Sequence, residues 1–74
     1  MNDYQWMNIQ KKFGLNVKRA RENKSWSQDR LAEISTLHRT YISGIERGVR
    51  NPTIEIVEQL AIALDVPIFE LFKE

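Results

Sequence analysis

Arg39, Thr40, Ser43 and Arg47 carry the most informative chemistry in this chain. At helical spacing they share one side of a short segment, and every one of them can hydrogen-bond. The guanidinium of Arg39 presents a planar fork able to donate two parallel bonds to one rigid acceptor. The hydroxyls of Thr40 and Ser43 can donate or accept. Such a face recognises; it does not react. Reaction chemistry finds little elsewhere. The chain has one histidine, His38, and no cysteine. It has no glycine-rich phosphate loop and no acids paired for acid–base work. The residues therefore argue against an enzyme, and no metal site or cofactor is expected.

The stretch from Trp26 to Asn51 positions that face. Leu31 and Ala32, then Ile42 and Ile45, recur at helical spacing with polar residues between them, giving two short helices. Ser27 stands where a hydroxyl can cap the first helix, and Gly48 where a left-handed residue can end the second. A short helix, a tight turn and a second helix with a cationic polar face form the helix-turn-helix arrangement. Its second helix enters the DNA major groove. The recognition helix is expected at about 38–47, with Arg39 and Thr40 deepest in the groove. Arg39 suits guanine O6 and N7, Thr40 a base edge or a thymine methyl, and Ser43 reads one turn later. Gly44 either lets the helix approach the bases closely or narrows the code.

The segments SQDRLA (27–32), HRTYISGIERG (38–48) and RNPTIEIVEQLAIALDV (50–66), with VKRAREN ahead of them, resemble the Cro/repressor-type (XRE-like) helix-turn-helix transcription regulators. The likeness covers about Phe13 to Phe72. Within that family, HRTYISGIERGVRNP is most similar to the controller proteins of restriction–modification systems. The resemblance implies an all-α, five-helix lambda-repressor-like DNA-binding domain with the helix-turn-helix in helices 2 and 3. It implies a sequence-specific dimeric regulator on double-stranded DNA with a pseudo-palindromic operator, such as a restriction–modification controller acting on its own promoter. A phage-type repressor, an antitoxin, or a helical interaction module without DNA binding are the alternatives.

The same resemblance assigns further roles. Gln28 is placed on a DNA phosphate, and Ser27, His38, Tyr41, Arg47, Arg50 and Asn51 also line the phosphate backbone. Arg21 and Glu46 match positions that pair as a structural salt bridge. Asp29 and Glu33 match acids that touch the RNA polymerase sigma subunit in some relatives; an ordinary solvated face beside Arg30 is the alternative. Ser25 and Thr36 stand where the family commonly has glycine, at turns that favour positive φ.

With 74 residues the chain is read as one domain, 1–74, with 1–8 as a candidate N-terminal extension containing Tyr4 and Trp6. Its net charge of +1 hides an asymmetry. Residues 1–50 hold ten Lys/Arg against five Asp/Glu; residues 51–74 hold one Lys against five acids. A basic front half suits phosphate binding, although charges also serve solubility. No apolar run approaches ~20 residues, so no membrane span is expected. The start shows no secretory signal, and a cytoplasmic, nucleoid-associated location follows as an expectation.

Ile9, Phe13, Val17 and Ala20 form the stripe of a first helix running to about Asn23, with Gly14 marking a close approach. Thr53 is the expected N-cap of a fourth helix, with Ile54, Val57, Leu60, Ala61 and Leu64 inward. After Pro67, a fifth helix from Ile68 to Lys73 carries more apolar side chains than one small domain can bury. Ile68, Phe69 and Phe72 are therefore expected at a two-fold dimer interface. In the alternative, Phe69 and Phe72 fold back on the monomer.

Overall fold

Helix α1 (Ile9–Asn23) starts where the Asn8 carboxamide oxygen accepts from Lys11 N–H at 2.9 Å. The structure is a computed structural model describing residues 8–74, so Tyr4, Trp6 and the rest of the extension before Asn8 lie outside the described residues. Helix α2 (Gln28–Ser35) is capped by Ser27, and α4 (Ile54–Leu64) by Thr53. Between them lies α3 (Arg39–Glu46), with His38 at its N-cap position and Arg47 at its C-cap. No strand interrupts the helices among the described residues.

Three helices end in the same way. Ser25, Gly48 and Asp65 each take a left-handed φ, of 59°, 77° and 56°. At each, two backbone N–H groups fold back onto the last turn, as in Val49 to the Gly44 carbonyl and Gly48 to that of Ile45. This is the Schellman termination, which satisfies carbonyls the helix leaves unpaired. Thr36, φ 61°, closes α2 in the left-handed region too. Gln59 of α4 holds this turn, its Nε2 donating to the Ser35 carbonyl and to Thr36 Oγ1.

Phe13 and Val17, Leu31, Ile42 and Ile45, and Val57, Leu60, Ala61 and Leu64 form the core contributed by α1 to α4. Two stripe residues are corrected. Ile9 and Ile54 are 61% and 83% exposed; each opens its helix, where the stripe runs past its packing partners. The expected fifth α-helix is also corrected: Ile68–Phe72 is a 3-10 helix. Its five residues lie between Pro67 and a tail held by Asn16, whose Nδ2 donates to the Lys73 carbonyl at 2.8 Å. That leaves no length for a stable α-turn. Its Leu71 is fully buried. Phe72 stacks on Phe13 with ring centroids 5.2 Å apart.

The close approach at Gly14 joins α1 to α3. A Cβ there would strike the Ile45 carbonyl oxygen and come within 3.1 Å of that of Glu46. Backbone cannot yield as a side chain does, so this position sets the seating of α3.

Candidate nucleic-acid interface

A buried ion pair anchors α3. Arg21 Nε donates to Glu46 Oε2 at 2.7 Å and Nη2 to Oε1 at 3.0 Å, while Nη1 reaches the Trp26 carbonyl at 2.6 Å. The fork geometry makes both bonds charge-assisted. The hydrogen bond to Glu46 raises the Arg21 guanidinium above its ordinary pKa, against the opposing effect of burial.

From that pair a chain of bonds leads outward. Gln28 Nε2 donates to Glu46 Oε1 at 3.0 Å, and Gln28 Oε1 accepts from Arg39 Nη1 at 3.2 Å. The amide orientation is dictated by its neighbours, since a carboxylate only accepts and a guanidinium only donates. Asp29 Oδ1 lies 3.4 Å from Arg39 Nε. The starts of α2 and α3 are thereby drawn together around one guanidinium.

Along α3, Thr40 is exposed beside Arg39. One turn on, Arg47 Nη1 donates to Ser43 Oγ at 2.7 Å. Arg50, from the loop after α3, crosses the helix: its stem covers Gly44, and its guanidinium lies 5.3 Å from the Tyr41 ring centroid. Gly44 thus serves the packing of Arg50, a use not read from the sequence. His38 makes no side-chain cap bond. Asn51 is exposed. Ser27 Oγ accepts from Arg30 N–H at 3.0 Å, which leaves its own O–H to donate.

A helix-turn-helix family model matches residues 17–71. The control protein C.BamHI of Bacillus amyloliquefaciens is 48% identical over 60 residues, covering 80% of this chain and 74% of that protein. The chain belongs to the XRE-type helix-turn-helix family of transcription regulators. Among solved structures, the restriction–modification controller C.AhdI from Aeromonas hydrophila superposes with a TM-score of 0.82 at 43% identity. The match covers 85% of this chain and 96% of that one. The C.Esp1396I controller, solved as a tetramer on its natural 35 base-pair operator, gives 0.78 at 38% identity, covering 88% and 96%.

In this helix-turn-helix chain the sequence-predicted residues other than the Arg21–Glu46 pair fall into three places. Ser27, Gln28, His38, Arg39, Thr40, Tyr41, Ser43, Arg47, Arg50 and Asn51 lie on α3, the start of α2 and the loop after α3. Asp29 and Glu33 lie on α2; Asp29 faces Arg39, and Glu33 Oε1 accepts from Arg30 Nη1 at 2.7 Å. Ile68, Phe69 and Phe72 lie on the 3-10 helix, with Ile68 and Phe69 44% and 68% exposed and Phe72 half-buried. Sequence reading missed the bridge made by Gln28 and the contact of Asp29. Their signal, polar residues opening α2 opposite an arginine opening α3, needs the turn geometry to be seen. No described helix is long and apolar enough to cross a membrane.

Proposed function

We propose that this chain is a dimeric restriction–modification controller that binds a pseudo-palindromic operator and regulates its own promoter from the cytoplasm as one domain. One observation carries this reading. Arg39, Thr40, Ser43 and Arg47 run along the outer side of α3, which Gln28 and the Arg21–Glu46 pair fix to the core. In the major groove the first three meet base edges, with Arg39 on a guanine and Thr40 and Ser43 beside it. Gln28, Ser27, His38, Tyr41, Arg47, Arg50 and Asn51 then flank the phosphates.

The likeness to C.Esp1396I, an operator-bound tetramer, supports an oligomer here. Exposed Ile68 and Phe69, with Ile62 added, supply its apolar contact, whereas Phe72, also expected there, stacks on Phe13 within the chain. Two copies related by a two-fold axis present their α3 helices to half-sites roughly 34 Å apart. The family resemblance also assigns Asp29 and Glu33 to a contact with the RNA polymerase sigma subunit. Unchanged promoter activation in an Asp29→Ala, Glu33→Ala variant would discard that contact.

The test is a titration on the DNA upstream of the protein's own gene at two salt concentrations, beside Arg39→Ala. Salt-sensitive binding to one segment, lost in Arg39→Ala while weak general binding persists, is the expected result. Equal weak binding of both proteins to any duplex would overturn it.

A further inference from the structure

Arg39 is the most exposed end of the bond chain that starts at the buried Arg21–Glu46 pair, and it is held from two sides. Gln28 Oε1 takes one Nη1 hydrogen at 3.2 Å. Asp29 Oδ1 lies 3.4 Å from Nε. A free arginine on a helix start sweeps a wide cone of rotamers, and ordering it costs entropy at the moment of binding. Gln28 alone leaves the guanidinium free to swivel about one bond, and the charge of Asp29 beside Nε draws it to one side. The remaining N–H donors stay available to a planar acceptor.

The first turn of α2 favours an acid through the helix dipole, and at Asp29 that preference meets an opposing demand. The Asp29 side chain is 81% exposed, and it stands beside a surface that must meet phosphates, where a negative charge opposes association. Glu33 on the same helix bonds to Arg30 instead.

We propose that Asp29 is a positioning residue for base reading: it orients the Arg39 guanidinium so that operator discrimination rises while general DNA affinity falls. This rests on the reading of Arg39 as the base-contacting arginine. Both parts of the effect come from the Asp29 charge, since its contact with Arg39 Nε is an ion pair. Asparagine keeps the size of the side chain and removes that charge.

The experiment uses the purified full chain and naked duplexes, with no polymerase present. A duplex enriched from a random pool by the wild-type protein is compared with versions substituted at each guanine and with an unrelated duplex. Wild type, Asp29→Ala, Asp29→Asn, Arg39→Ala and Asp29→Ala with Arg39→Ala are titrated on each, after thermal melts confirm that they fold.

Asp29→Ala is expected to bind the unrelated duplex more tightly and to lose roughly two- to five-fold in discrimination at the guanine that Arg39 reads, the range of one exposed pair. Asp29→Asn, which lacks the charge, is expected to act as Asp29→Ala does on both counts. On top of Arg39→Ala, Asp29→Ala is expected to change discrimination no further. Equal gains in affinity for every duplex from both Asp29 variants, with discrimination unchanged, would overturn the positioning role and leave Arg39 as the reader. Arg39→Ala that discriminates like wild type would overturn the reading of Arg39 and the proposal with it.

Discussion

Gly44 lies directly beneath Arg50: a Cβ built at Gly44 would stand 2.8 Å from Arg50 Cγ and 3.2 Å from its Nε. The glycine sits mid-way along α3, where alanine would favour the helix by up to ~1 kcal/mol. Its retention therefore has a local cost, and the arginine stem that fills the space explains it. Gly44→Ala is expected to leave thermal stability unchanged or slightly higher while weakening DNA binding. If Arg50 contacts a phosphate, its displacement lowers the slope of log K against log salt by about 0.9. Melting curves and salt titrations on the same protein check both halves.

The Arg21–Glu46 pair tests how far the reading face depends on the core. Glu46→Ala leaves Arg21 buried without its partner and is expected to destabilise by about 3–5 kcal/mol. It also removes the acceptor that orients Gln28, so discrimination should fall in whatever folded fraction remains. Replacing Arg21 and Glu46 together by Met and Leu is expected to restore most of the stability, since apolar substitutes of similar volume avoid desolvating two charges. It should not restore discrimination. Urea unfolding and operator titration separate the two effects. A double replacement that regains both would mean that Gln28 needs no anchor.

The left-handed turns give a third prediction. Ser25 at φ 59° carries a Cβ in a region that glycine occupies without strain. Ser25→Gly is expected to stabilise by ~0.5–1 kcal/mol, a rise in Tm of about 3–6 °C for a chain this size. Thr36→Gly relieves the same strain but removes the Oγ1 that accepts from Gln59 at 3.0 Å. Its gain should be smaller or absent. Differential scanning calorimetry of the two variants distinguishes strain relief from loss of the cross-link.

Periodicity and caps carried most of the fold. Leu31, Ile42, Ile45 and Leu60 repeat at helical spacing because the core demands it, and Ser27, Thr53 and Gly48 punctuate the helices by local chemistry. What the sequence withheld is long-range or terminal. Asn16 holds the Lys73 carbonyl from 57 residues away, and Gln59 braces the Ser35–Thr36 turn from 24 residues away. No local pattern announces either. Asp65 could be read as a break, but not as a left-handed cap, because aspartate also fits other turns. Ile9 and Ile54 belong to their stripes by spacing, yet helix starts escape burial. Along α3, residue types are readable and their mutual bonds are not: resemblance assigns Gln28 to a phosphate, while its place between Glu46 and Arg39 is visible only once the turn is formed.

The 3-10 helix packs some of its apolar side chains into the monomer and leaves others exposed, and this separates two phenylalanines. Phe72 stacks on Phe13 within the chain, so Phe72→Asp is expected to cost about 3 kcal/mol or more and to unfold much of the protein at moderate temperature. Phe69 is 68% exposed, with Ile68 beside it in sequence and Ile62 bordering the same groove as Ile68. Phe69→Asp removes no monomer contact of comparable size and places a charge in any two-fold contact through this patch. It is expected to keep the helical spectrum while shifting sedimentation equilibrium from dimer toward monomer by at least ten-fold in Kd, about 1.4 kcal/mol. Operator binding should fall with it, because linked half-sites act together. A Phe69→Asp protein that sediments as wild type would move the interface away from the 3-10 helix.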